Sequence, residues 1–344
     1  MLILRPCEPD DLDDLLDLAS RLDSMNLPND RAFVERRIAR SEASFAGRSA
    51  QGEPPIYMFA LEDRECGRCV GTSMVLSKTG VPGTPYYWLE VSSEERRSTE
   101  IGARFVHTRL QLRSTEDGPT EIGGLVLDPA YRRHPEKCGK ALSIVRFAFI
   151  SAHPELFQRE VIAEMLSPFE ESGRNLLWEA FGRRFTGLPY READHLSARD
   201  KGFIADLFPR DPVYATLFPP EVQAVIGRPN DSARAALRIL EKVGFQHLHQ
   251  VDPFDGGPYY GASRDAIVSV RERRTLVLPG TPRDTHAGDG GPLALLSAET
   301  GDSMARFRAT VVALDDDGAP VVSKECREAL GVAAGDRVMV TPLP

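Results

Sequence analysis

The stretch from Glu121 to Phe149, EIGGLVLDPAYRRHPEKCGKALSIVRFAF, constrains the fold more than any other part of the chain. Ile122 to Leu127 reads as a strand that stops at Asp128-Pro129, because proline brings no amide hydrogen to extend a ladder. A basic turn carrying Arg132, Arg133 and Gly139 follows, and the apolar spacing predicts a helix from about Ala141. A strand opened at its end, followed by glycine and the free N–H groups of a helix start, presents unpaired donors to an anion such as phosphate. The same pattern equally fits an ordinary strand-turn-helix connection with solvated arginines.

With 344 residues, 42% of them hydrophobic and 27% charged, the chain carries apolar mass for two cores or for one large core with an appendage. Its most apolar window, Ala141 to Ile150, is broken by Arg146 and falls short of the ~20 residues needed to cross a bilayer. The start, MLILRPCEPDD, lacks the basic lead and cleavage site of a secretory signal, so a cytoplasmic location with no membrane partner is expected. Five cysteines, an odd number, argue against a disulfide framework and for a reducing compartment. Cys66 and Cys69 are spaced like half a zinc site, but no second pair exists, so a turn and no metal are expected. A net charge of −9 makes nucleic acid a poor partner, although local basic patches can still hold a phosphorylated molecule.

Taken in order, Leu2 to Arg5 is a short strand, and Glu8-Pro9-Asp10-Asp11 is an acidic start for a helix through Leu12, Leu15, Leu16 and Ala19. Leu27-Pro28-Asn29-Asp30 caps a second helix with Phe33, Val34, Ile38 and Phe45 on one side. Tyr57 to Leu61 and Cys69 to Leu76 form a predicted hairpin, and Tyr86 to Val91 a further strand; Arg97 to Arg113 has no clear period. Glu160 to Met165 is another strand, Glu170 to Arg184 a predicted helix ending near Gly182, and Ser232 to Phe245 a similar helix-Gly-aromatic unit before the strand Gln246 to Val251. These two units, near 160–190 and 226–256, suggest an internal duplication, with coincidence as the rival. Pro, Gly and Asp dominate 279–292, the expected linker. Beyond it, 293–344 reads as a small β-barrel with a short helix, and Gly335-Asp336-Arg337-Val338 resembles the turn and strand that end double-psi-barrel and AbrB-like modules.

The order of these pieces resembles the GNAT acyl-CoA N-acyltransferase fold, and more closely the arginine N-succinyltransferase family. The matching segments include Ile3-Leu4-Arg5-Pro6, Phe59-Ala-Leu-Glu-Asp63, Leu125-Val-Leu-Asp-Pro-Ala-Tyr-Arg132, Val161-Ile-Ala-Glu-Met165, Phe203-Ile-Ala-Asp-Leu207, Leu240-Glu-Lys-Val-Gly-Phe245 and Asp252-Pro-Phe-Asp-Gly-Gly-Pro258, in order along most of the chain. The resemblance implies an α+β architecture: a GNAT-like mixed sheet flanked by helices over 1–278, with a duplicated GNAT-like half and the C-terminal barrel. It also implies succinyl transfer from succinyl-CoA, as cosubstrate, to the α-amine of arginine or ornithine in arginine catabolism, and homo- or hetero-oligomers of homologous subunits. By the same resemblance Leu125 is an acyl-CoA contact on its strand, with Leu127 beside it, and Arg132, Arg133, Gly139 and Lys140 form the pyrophosphate cradle. The turn His134 to Cys138 is longer and poorer in glycine than the family's. The family's catalytic histidine falls on Asn230, whose amide cannot move a proton near neutral pH.

Attack of an amine on a thioester needs a base, an oxyanion donor and a proton for the thiolate. The candidate bases are Glu121 and Glu164, each equally an ion-pair partner, and Asp231 beside Asn230, for which a helix N-cap is the alternative. His247 and His249 can replace the missing imidazole or be exposed strand residues. Asp252 and Asp255 can meet a cationic substrate or shape the turn at Gly256-Gly257. Two other readings remain open: a non-catalytic or partner-dependent subunit, and an N-acyltransferase for a different amine.

Overall fold

The computed structural model describes residues 1–22, 27–50, 52–197, 201–282, 292–301 and 303–344. Fourteen strands run in chain order: β1 (Leu2–Pro6), β2 (Ile56–Asp63), β3 (Arg68–Leu76), β4 (Tyr86–Ser98), β5 (Ala103–Thr115), β6 (Thr120–Leu127), β7 (Glu160–Glu164), β8 (Val213–Tyr214), β9 (Gln246–Val251), β10 (Pro258–Ser263), β11 (Arg274–Val277), β12 (Leu293–Glu299), β13 (Phe307–Ala313) and β14 (Arg337–Pro342). They form one mixed sheet in the order β11-β14-β12-β13-β1-β2-β3-β6-β7-β10-β9-β4-β5-β8. Among the described residues only β6 and β7 pair in parallel.

Three helices position the centre of this sheet: α1 (Leu12–Leu22), α2 (Arg31–Phe45) and α3 (Cys138–Ala152). Asp30 caps α2 by accepting from the Phe33 N–H at 3.0 Å, as its place before the apolar run predicts. Alternation along β2 sends Met58 and Ala60 to the side of α1 and the first turns of α2, where Leu15, Leu18, Val34 and Ile38 bury them. Tyr57, Phe59 and Leu61 face α3 on the other side. Within α3, Phe149 meets Phe45, Tyr57, Phe59 and Phe307 with ring centroids 4.8–5.5 Å apart. Arg146, which interrupts the apolar run, is buried with its guanidinium turned back onto Ser143, and burial lowers its pKa to about 9. No helix among the described residues is long and apolar enough to cross a membrane.

The predicted hairpin is present as β2 and β3, with the Cys66–Cys69 segment at its turn. The stretch without a clear period, 97–113, holds the end of β4, the turn and most of β5 of a second, longer hairpin: thirteen residues of β4 pair with thirteen of β5 from Tyr86↔Thr115 to Ser98↔Ala103. The duplication expected near 160–190 and 226–256 does not appear. The helix Arg234–Lys242 leads through Phe245 into β9, whereas Gly182 opens a further helix, Gly182–Thr186, and no strand follows. Gly182 is required there by close packing, since a Cβ on it would lie 2.3 Å from the Trp178 ring. The predicted helix over 170–184 begins only at Leu176, because the Asn175 side chain caps the Trp178 N–H. Trp178 anchors a separate core with Leu89, Val251 and Phe254 beneath this helical segment.

The C-terminal residues do not close into a barrel. β11, β14, β12 and β13 continue the main sheet through Leu4↔Ala309 and leave β11 as an edge, with the helix Lys324–Leu330 and its own apolar core against them. β11 precedes the stretch expected as linker yet pairs with β14; residues 283–291 of that stretch lie outside the described residues.

Truncating Phe149 to alanine removes the ring around which both ends of the chain pack. The expected loss is ~3–5 kcal/mol of unfolding free energy, measured by urea denaturation; a loss below ~1 kcal/mol would show that this aromatic cluster does not anchor the core.

Candidate active site

The β6–β7 ladder is two residues long, Thr120↔Val161 and Glu121↔Ile162, and stops. Just beyond, the β3–β6 register shifts so that Gly124 and Leu125 oppose the single residue Ser73. Gly124 takes φ +58°, a left-handed geometry that a bulge needs and a side chain resists, and a Cβ there would meet Met74 Cγ at 2.7 Å. The bulge turns the end of β6 away from β7 and leaves backbone donors and acceptors of both strands facing a gap.

On the side of the gap facing α2, register places Glu121, Glu164 and Tyr259 on one face: Glu121 pairs with Ile162, two residues from Glu164, and Glu164 pairs with Tyr259. The turn after β9 adds Asp252 and Asp255. Carboxylate oxygens of Glu164, Asp252 and Asp255 all lie within 4.8 Å of one another. The Tyr259 hydroxyl reaches Glu164 Oε2 at 3.2 Å and Asp252 Oδ2 at 3.3 Å. Asp255 spends both oxygens on the backbone, accepting from Ser167 N–H at 2.9 Å and Gly257 N–H at 2.6 Å, while Asp252 Oδ1 accepts from Phe254 N–H at 2.7 Å. Asp255 is therefore a turn-builder as well as a charge, and Glu164 with Asp252 presents the accessible carboxylate oxygens. Three carboxylates at this spacing also suit a divalent cation, but with Asp255 committed to N–H donors and a tyrosine donating between the other two, the set suits an organic cation that brings its own N–H groups.

Burial, and then the charge of the neighbouring carboxylates, pushes Glu164 well above the ordinary range. Burial and Asp252 raise Asp255 to about 7, and burial also raises Asp252 and Glu121. Lys201 counters this by favouring the ionised forms of Glu121, Glu164 and Asp252, and Arg37 on α2 does the same for Glu121. Asp194 on the helix Tyr190–Ser197 joins the acidic set, raised by burial and then by Asp252. Tyr86, on β4, is buried against Tyr259 with ring centroids 5.6 Å apart, and its hydroxyl has no hydrogen-bond partner among the described residues. Burial drives its pKa upward, so the hydroxyl stays protonated. Tyr86, Tyr259, Lys201, Asp194 and Arg37 had no distinguishing pattern in the sequence; the alternation of Tyr259 with the turn at Asp252 to Pro258 was the nearest signal.

The remaining sequence candidates divide by position. Asn230 borders the acidic group, its N–H donating to Leu166 O at 2.8 Å, and its Oδ1 accepts from Ala233 N–H at 2.8 Å. Asn230, not Asp231, thus holds the turn 231–233 that leads into the helix Arg234–Lys242; Asp231 is exposed and paired with Arg234, apart from the cluster. His247 pairs with Tyr260, so it stands on the opposite sheet face from Glu164, and His249 is exposed at the β9 bulge. Leu125 and Leu127 are half-buried on β6 and pack toward α3. Gly139 lies against Leu127, with 3.7 Å from a hypothetical Cβ to Leu127 Cδ2. Lys137 adopts a left-handed conformation before α3, whose start has no side-chain cap. Arg132 and Arg133 are exposed close by, and Lys140 donates to the Pro344 carbonyl, its pKa lowered by burial and then by the charges of Lys242 and Lys137.

Comparison with known proteins gives consistent matches along the whole length. Residues 2–269 match the family described as arginine N-succinyltransferase beta subunit, and residues 273–342 match its C-terminal domain. The chain is 35% identical over 349 residues to arginine N-succinyltransferase of Yersinia pseudotuberculosis, covering 100% of this chain and 98% of that protein. It is 33% identical to that of Citrobacter koseri over 348 residues, with 100% and 98% coverage. The solved structure of arginine/ornithine succinyltransferase subunit AI from Pseudomonas aeruginosa superposes with a TM-score of 0.83 at 28% identity, covering 100% of this chain and 99% of that one.

The acidic cluster makes stability depend on pH in a defined direction. Its carboxyl groups hold protons in the folded state that the unfolded chain releases near pH ~4, so unfolding releases protons and stability falls as pH rises toward about 7. Glu164→Gln removes one ionising member, and its melting temperature is expected to exceed the parent's at about pH 8 but not at about pH 4. Parallel melting curves for both proteins across this range would exclude the cluster as the source.

Proposed function

Because this chain belongs to the arginine N-succinyltransferase family and is an acyltransferase, we propose that it transfers a succinyl group from succinyl-CoA to the α-amine of arginine or ornithine. The observation that carries this reading is the gathering of Glu121, Glu164, Asp252 and Asp255 beside the gap between β6 and β7. An amino acid with a cationic side chain neutralises such a group through both its α-ammonium and its far end. For the donor, the freed edge of β6 around Leu125 and Leu127 offers backbone partners to pantetheine amides, and the uncapped start of α3 at Gly139, with Arg132, Arg133 and Lys140 nearby, faces the pyrophosphate.

The chemistry follows from proton affinities. Glu164, raised by burial and by its acidic neighbours, is basic enough to take the proton from the α-ammonium. The free amine attacks the thioester carbon; the C–N bond forms, the C–S bond breaks, and the thiolate takes a proton from the Tyr86 hydroxyl. As the amide forms, the second proton of the attacking nitrogen passes to the Tyr86 oxygen and restores its hydroxyl, and the proton held by Glu164 leaves to solvent as the one proton released per turnover.

Asn230 favours a second reading, a partner-dependent subunit, because its amide is committed to the turn 231–233 and cannot exchange protons. On this reading homologous subunits assemble and supply what the isolated chain lacks. Five unpaired cysteines suit the cytoplasm as the proposed location.

A thiol-release assay with succinyl-CoA and arginine tests the first reading. Glu164→Gln is expected to lower kcat on the order of 100-fold, and Asp252→Asn to raise KM for arginine about tenfold while leaving KM for succinyl-CoA nearly unchanged. Failure of the parent chain to bind succinyl-CoA in calorimetry would sink the proposal. If the isolated chain binds but does not turn over, Asn230→His or a co-expressed homologue is expected to restore activity, whereas full activity from the isolated parent rejects the second reading.

A further inference from the structure

A groove of about 410 Å³ opens where the C-terminal end of α3 meets the last strands, lined by His153, Arg273, Thr275, Ser297, Glu299 and Arg337 among others. The register Thr275↔Met339↔Ser297, with Val277 opposite Arg337, sets Thr275, Arg337 and Ser297 on one sheet face. Leu295, two residues from Ser297, packs into the core with α3, so this is the face turned toward the helix.

Charge and hydrogen bonding in the groove are incomplete. Glu299, the acid in its wall, is occupied by His153, Oε1 to Nε2 at 2.6 Å. Among the described residues Arg337 has no hydrogen bond or ion pair, and the one hydrogen bond of Arg273 goes to the Met339 sulfur at 3.3 Å. Ser297 is completely buried, yet its hydroxyl, at the groove floor, has no hydrogen-bond partner among the described residues. A buried hydroxyl is seldom left unmatched, and two guanidinium groups beside one groove without a free counter-charge form a natural clamp for a doubly charged oxyanion. The site is separate from the acyl-donor cradle, because α3 has fifteen residues and its two ends are therefore ~20 Å apart.

We propose that this groove binds a small dianion, clamped by Arg273 and Arg337 with the hydroxyls of Ser297 and Thr275 as donors. A phosphate group and a dicarboxylate both supply the required oxygens. Isothermal titration of the full-length chain at low ionic strength, once with inorganic phosphate and once with succinate, separates the two sources. Saturable binding of either is expected, weakened about tenfold or more in Arg273→Ala and Arg337→Ala and less in Ser297→Ala. Melting temperatures check that the variants fold, and acyl-transfer rates without added anion are expected to be unchanged in both arginine variants. Binding of phosphate alone assigns a phosphate-bearing ligand; binding of succinate that depends on Arg337 assigns a dicarboxylate. Titration of neither anion, or binding that survives the Arg273→Ala/Arg337→Ala double substitution, overturns the proposal. Because the readout is binding in this groove, its failure leaves the acyl-transfer reading untouched.

Discussion

The proposed acyl-transfer site depends on the parting of β6 from β7 after two paired residues. A parallel pair joined by a buried crossover helix would ordinarily stay closed, since each lost ladder bond leaves a donor and an acceptor unmatched. Here the bulge at Gly124 bends one strand while α3 holds the other end of the connection against a core of aromatic rings. The sheet is continuous on both sides of the gap, so the opening is a fixed feature of the backbone and does not depend on a mobile loop.

The second constraint is electrostatic. Five carboxyl groups reach one region of the sheet face, and the groups that offset them, Lys201 and Arg37, are fewer. Such an arrangement weakens the fold, and like-charged groups gathered in this way commonly mark a functional site at which stability is traded for binding. The turn from Asp252 to Gly257 shows how the two demands are joined. Asp255 holds the turn by accepting two backbone hydrogen bonds, and the same carboxyl raises the proton affinity of Glu164 across from it.

Legibility from the residues varied with the range of the interactions involved. Local chemistry was readable: proline after β6, Asp30 before α2 and the β2–β3 turn each act within a few positions of themselves. Glu121 and Glu164 were also recognisable as carboxylates on adjacent strands. The segment around Gly182 misled, because glycine after an aromatic residue ends many helices, whereas here it makes room for the Trp178 ring and the chain stays helical. The C-terminal strands misled for a related reason: alternation shows which residues face inward, but not whether the last strand closes on the first or joins β1. The hydrogen bond expected of Asp231 before Ala233 is made by its neighbour Asn230, while Asp231 pairs with Arg234 in solvent.

By itself the sequence determined the central strand-turn-helix, the apolar faces that pack on it and a family resemblance along most of the chain, because these rest on spacing and on residue types acting locally. Tertiary structure alone decided which charges meet. Tyr86, Asp194 with Lys201, and Asp252 come from three separate parts of the chain, and their common surroundings follow from strand order and from the gap at Gly124. The proton affinity of Glu164 is set by burial and by neighbours that no local pattern names.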